Sequence, residues 1–177
     1  MQDWIDQANN NNIKIEDHGQ CQFCLSRTEY GVSECVEVAS LLTHKIEHSI
    51  GIEHMTIFLS VDAHALQHSE IHGRWNNHFH LTRLNLILAE QIRWNYQFST
   101  VLSSVVNKYK EGKDNEFILS PQIGYRGALT VTDVLDTNSN EEYVRTVWDW
   151  AQQVFLSYRN GQEIVKEISQ LFKKKIA

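Results

Sequence analysis

Proline is nearly missing: Pro121 is the only one in 177 residues. With so few breaks, and with long stretches of 3.6-residue apolar periodicity, the chain reads as helical. Long apolar runs are also missing. None approaches the roughly 18 residues that a membrane span needs, so no membrane partner is expected. The opening residues Met1-Gln2-Asp3-Trp4-Ile5-Asp6 lack the basic and apolar regions of a signal peptide. The expectation is a soluble, cytoplasmic protein. Positive charge is in short supply, with 16 Lys and Arg against 22 Asp and Glu and a net charge of -6. That balance argues against nucleic acid as a main partner. No phosphate-binding glycine loop, nucleophile elbow or dinucleotide fingerprint occurs, and no repeat recurs at a fixed period.

What is present is an ordinary globular mix, 42% apolar and 21% charged, in a chain long enough to bury a core without disulfides. The reading is all-α: a single helical domain over 1–177, with an N-terminal arm and loop at 1–31 and a helical core at 32–177. Residues 2–8 suit a short helix, broken by the polar run Asn9–Asn12. Ile13–Ile15 suits a short extended piece, and residues 18–31 a loop. Ser33 is placed as the N-cap of a helix that runs to about Ser49 and stops at Gly51. Its stripe of Cys35, Ala39, Leu42 and Ile46 falls within about 60° of arc. Residues 53–69 are rich enough in Ile, Phe, Leu and Val for a buried strand. A helix is preferred, because Ile57, Val61, Ala65 and His68 share one helical face. Further helices are placed at His80–Arg93, 97–110, 131–135, 141–159 and 162–174. Thr130 with Asp133 forms a capping box for the third of these. Trp148 and Trp150 are placed in the core. Lys173–Lys175 suit a solvated helix C-terminus.

All three cysteines lie in the first part of the chain. In a reducing compartment a disulfide framework is disfavoured and a metal favoured. Cys21-x-x-Cys24 lets one short turn offer two thiolates to one ion. Cys35 supplies a third, facing the core near a helix N-terminus, where the dipole favours thiolate. The fourth ligand is expected to be a histidine. His68 lies about 20° from Val61 and faces inward; His64, about 60° from Val61, is the second choice. Cys21, Cys24, Cys35 and His68 together make a closed set for structural Zn2+, clasping the N-terminal loop to two helices. Asp62 and Gln67 are candidates for hydrogen-bonding groups around the metal-bound histidine, with a helix-terminal hydrogen bond or a surface carboxylate the equal reading for Asp62, and Arg83 is placed as the partner of a carboxylate such as Asp133.

Other histidine arrangements invite an enzyme. His44-Lys45-Ile46-Glu47-His48 matches an inverted zinc-peptidase motif. Yet His44 lies about 180° and His48 about 140° from Cys35, both away from the apolar stripe. The pairs His44/His48 and His64/His68 suit a bundle metal centre only if they face one another. The expectation is therefore a zinc-stabilised helical protein with a protein-binding or regulatory role. The alternative is a metal-dependent hydrolase or transferase of the helical-bundle type.

Four strings occur in order: Cys21-x-x-Cys24 with Cys35, Val61-Asp62-Ala63-His64-Ala65-Leu66-Gln67-His68, Gly127-Ala128-Leu129-Thr130-Val131-Thr132-Asp133-Val134-Leu135, and Val147-Trp148-Asp149-Trp150-Ala151. Across about 20–158 the chain resembles the DUF5946 family of uncharacterised bacterial proteins. The resemblance carries the metal-type residues Cys21, Cys24, Cys35 and His68 and implies no activity. The family pattern is usually Cys-Pro-x-Cys-Gly, from which Gln22 and Leu25 depart. An aromatic is common at the position of His64, which makes His64 the weaker ligand candidate, and a proline is common after the position of Ser69.

Overall fold

The computed structural model describes residues 2–47, 52–113, 120–158 and 162–177. Among these the secondary structure is all helical: α1 (Gln2–Asn10), α2 (Gly31–Glu47), α3 (His54–Gln67), α4 (Arg74–Leu84), a π-helical turn (Asn85–Ala89), α5 (Tyr96–Tyr109), α6 (Val131–Leu135), α7 (Asn140–Ser157) and α8 (Glu163–Ile176). No described helix is long and apolar enough to cross a membrane.

The molecule is built around α3. This helix packs against α2, α4 and α7 at once, while α4 in turn carries α5 and α8. Composition explains the placement. Ile57, Phe58, Leu59, Ala63 and Leu66 are buried, and so are Thr56, Ser60, Asp62, His64 and Gln67. A helix buried on every side shows no clean apolar stripe, which is why the segment also reads as a strand. Its buried polar groups need internal partners. Ser60 bonds back to the Ile57 carbonyl. Gln67 donates to the Leu129 and Arg126 carbonyls and accepts from Trp150 Nε1. The last carbonyls of α3 have no helical partner of their own. Tyr158 Oη donates to Leu66 O at 2.6 Å and Arg126 to Gln67 O at 2.8 Å. Arg126 also forms a two-pronged pair with Glu70.

Several boundaries differ from those expected. Helix α2 begins at Gly31, two residues before Ser33. Its first turn is capped by Glu34, whose carboxylate accepts from the Glu29 and Tyr30 N–H groups. The residue expected as its stop, Gly51, lies outside the described residues. The helix expected at His80–Arg93 begins at Arg74 and ends in the π turn at Ala89. It stops because Gln91 turns to φ 56° and Ile92 N–H returns to the Leu86 carbonyl. At Ile13–Ile15 the chain is not helical, and the Gln22 side chain holds that backbone at Lys14 O and Glu16 N.

The remaining helices lie within a few residues of where they are expected. The Thr130/Asp133 capping box opens α6, and Ser139 caps α7 by accepting from Glu142 N. Trp150 is fully buried and Trp148 partly so. The lysine run closes α8, with Lys173 bonded to Glu90 and Lys175 to Ser104.

Candidate metal centre

The loop before α2 is folded by its own backbone. Leu25 N–H donates to Cys21 O at 2.8 Å and Cys21 N–H to Ser26 O at 3.2 Å. This tight turn aims both thiols of the CxxC the same way. Leu25 takes φ 62° to close it, the left-handed position that glycine fills without strain. The far side of the loop is anchored to α6 by Ser26 on Thr132 and by Arg27 on Asp133 and Asp136. Cys35 enters from the second turn of α2. His68 stands just past the end of α3, at its C-cap.

These four side chains converge. Their ligand atoms all lie within 4.8 Å of one another, and all four residues are buried. Cys21 Sγ is 3.3 Å from His68 Nε2, Cys35 Sγ is 3.5 Å from the same atom, and Cys24 Sγ is 3.6 Å from Cys35 Sγ. A tetrahedron with metal–sulfur bonds of 2.3 Å has edges of about 3.8 Å, so the spacing suits one ion. The imidazole is already oriented for it. His68 Nδ1–H donates to the His64 carbonyl at 2.6 Å, which turns Nε2 toward the sulfurs. Such a hydrogen bond commonly fixes the tautomer of a metal-binding histidine.

The electrostatics fit the same chemistry. Hydrogen bonds from the Cys24 and Cys35 thiols pull the Cys21 thiol far below its usual range, against the effect of burial. Cys35 is pushed far up, by its contacts with Cys21 and Cys24 and then by burial. Burial pulls the His68 imidazole down, but hydrogen bonds to Cys21 and Cys24 outweigh it and raise it to about 10. Without a metal the low Cys21 thiol is thus matched by the raised His68 imidazole, while Cys35 keeps its proton, and a metal binds there by displacing protons.

His64 lies beside this centre, with Nε2 at 3.5 Å from Cys35 Sγ. Burial, then the neighbouring His68, pushes its pKa well down. A neutral His64 suits an N–H donor to the Cys35 sulfur. Trp4 of α1 covers the row, with its ring centroid 5.6 Å from His64, 5.2 Å from His68 and 5.8 Å from His72.

Other expected roles shift. Asp62 and Gln67 do not support His68: Gln67 joins α3 to the 126–129 loop and α7, and the His64 carbonyl holds His68 instead. Arg83 does not reach Asp133, which caps α6 and meets Arg27. It grips Asp62 through two bonds, of 2.8 and 2.5 Å. His80 Nδ1–H donates to the same carboxylate at 2.6 Å, and His80 Nε2 faces His72 Nε2 at 2.9 Å. Burial pushes His72 down to about 3. His72 continues the i, i+4 row of His64 and His68, a signal the sequence did carry; nothing local pointed to His80. His44 is exposed on α2, apart from the thiol cluster, and His48 lies outside the described residues.

No curated protein and no solved structure matches the chain. The model of a family of unknown function, DUF5946, matches residues 19–159, most of the sequence, and the chain belongs to that family.

Proposed function

We propose that Cys21, Cys24, Cys35 and His68 hold one structural Zn2+, and that the ion clasps the N-terminal loop to α2 and α3. The observation that carries this reading is the buried convergence of three sulfurs and one oriented imidazole nitrogen within 4.8 Å. Soft thiolates with one imidazole select zinc over the hard cations. Four protein ligands leave no position for substrate, so the ion holds the fold. Three unbridged cysteines suit a reducing compartment such as the cytoplasm.

The test is metal analysis beside thermal unfolding of purified wild type, Cys21→Ser and His68→Ala. We expect one tightly held zinc in wild type, its loss in both variants, and a marked fall in Tm. Unchanged metal content and Tm in the variants would sink the reading. Because a closed ion runs no reaction, we place the protein's role in binding a protein partner. Pull-down with the zinc-loaded chain tests that role, and reproducible turnover without any partner would count against it.

A further inference from the structure

A second cluster of titratable groups lies between α3 and α4, apart from the thiols. Asp62 is fully buried and Arg83 nearly so. The Arg83 fork neutralises the carboxylate while His80 Nδ1–H binds the same group. The other ring nitrogen of His80 is Nε2. It points at His72 Nε2, and both rings line a cavity of about 200 Å³ whose wall also includes His64, Ser60 and Trp4.

We propose that His72 and His80 form a second metal site, for a divalent first-row transition ion, with open positions facing the cavity. Three observations meet here. The 2.9 Å between the two Nε2 atoms matches the edge of about 3.0 Å that two cis imidazoles span on an octahedral ion with bonds near 2.1 Å. A carboxylate on the far nitrogen of a histidine is the arrangement that orients metal-bound imidazoles and raises their basicity. The adjoining cavity has room for several waters at about 30 Å³ each, hence for the remaining ligands of the ion or a small oxygen-donor molecule. A mere His–His hydrogen bond accounts for the distance and Arg83 for the carboxylate, but neither for the open space beside both rings. Imidazole without thiolate suits zinc, nickel, copper or iron. Two protein ligands make this site weaker and more open than the thiol cluster, and it does not depend on zinc being there.

The test is titration of the metal-free protein with Co2+. Thiolate-bound cobalt shows intense sulfur-to-metal charge transfer, whereas an imidazole site shows only weak ligand-field bands. We expect two equivalents in wild type, the weaker without charge transfer. His72→Gln with His80→Gln should lose that second equivalent and keep the thiolate band, which also reports intact folding around the cysteines. Cys21→Ser should lose the band and keep the histidine-dependent equivalent, so failure of either site is seen separately. Copper resonance on wild type at the second equivalent needs no variant: coupling to two imidazole nitrogens is expected. A single equivalent in wild type, a second equivalent that survives the histidine changes, or copper without that coupling would each overturn the proposal.

Discussion

At the scale of the residue, two backbone positions around the thiol loop pull stability in opposite directions. Leu25 holds φ 62° with its side chain exposed. A non-glycine residue there costs roughly 1–2 kcal/mol, and little packing is lost by removing the side chain. Leu25→Gly should therefore stabilise the protein by about 1 kcal/mol in urea unfolding. Gly31 shows the reverse. It sits at φ 56°, and a Cβ there would collide with the Glu16 backbone carbonyl oxygen, an atom that cannot swing away. Gly31→Ala should cost about 2 kcal/mol or more and loosen the loop against α2, read by the same unfolding curves. The Leu25 position was legible as a departure from the family's glycine. The Gly31 constraint was not, because it depends on a carbonyl fifteen residues earlier in the chain folding back onto the start of α2.

At the scale of the element, α3 is held by partners that no local pattern reveals. Periodicity located α5, α7 and α8 well, since each shows one apolar face to the core. It placed Cys35 and His68 inward for the same reason. It did not pair Arg83 with Asp62, because that contact depends on how α4 lies across α3. Removing one side of such a buried pair leaves an uncompensated charge, at a cost of about 3–5 kcal/mol. Arg83→Met should thus lower stability by about that amount, and Arg83→Met with Asp62→Asn should recover part of the loss in a double-mutant cycle. The far end of α3 gives a pH signature. Burial raises Tyr158 to about 12, against 10 for a free tyrosine. Its folded pKa lies above the unfolded one, so its contribution is intact below pH 10 and is lost as the pH climbs toward 12. Urea midpoints should fall over that window by an amount on the order of 2 kcal/mol in stability, and Tyr158→Phe should flatten the slope while lowering stability at neutral pH.

At the scale of the whole molecule, the thiol centre joins segments that a small core would hold weakly. It links the loop carrying Cys21 and Cys24 to α2 and to the end of α3, beneath the α1 tryptophan. Chelation of the proposed zinc should lower Tm by roughly 10 °C, at about 2–4 °C per kcal/mol for a chain of this size. It should also change the fluorescence of Trp4, whose ring lies against His68, more than that of the other tryptophans, which single Trp→Phe variants can separate. Acid should release the ion by protonating thiolates, and stability should fall with it.

The placement of the ligands along the chain also bears on how the protein is made. Cys21, Cys24, Cys35 and His68 all precede the residues that seal the far end of α3, namely Arg126, Trp150 and Tyr158. On a ribosome adding about 5–20 residues per second, the four ligands emerge several seconds before those covering groups exist. The proposed ion can therefore be captured by a nascent chain whose N-terminal third is still open, and the later helices then close over a loaded centre. A chain deprived of the proposed ion during that interval would have to reopen its finished core to take it up.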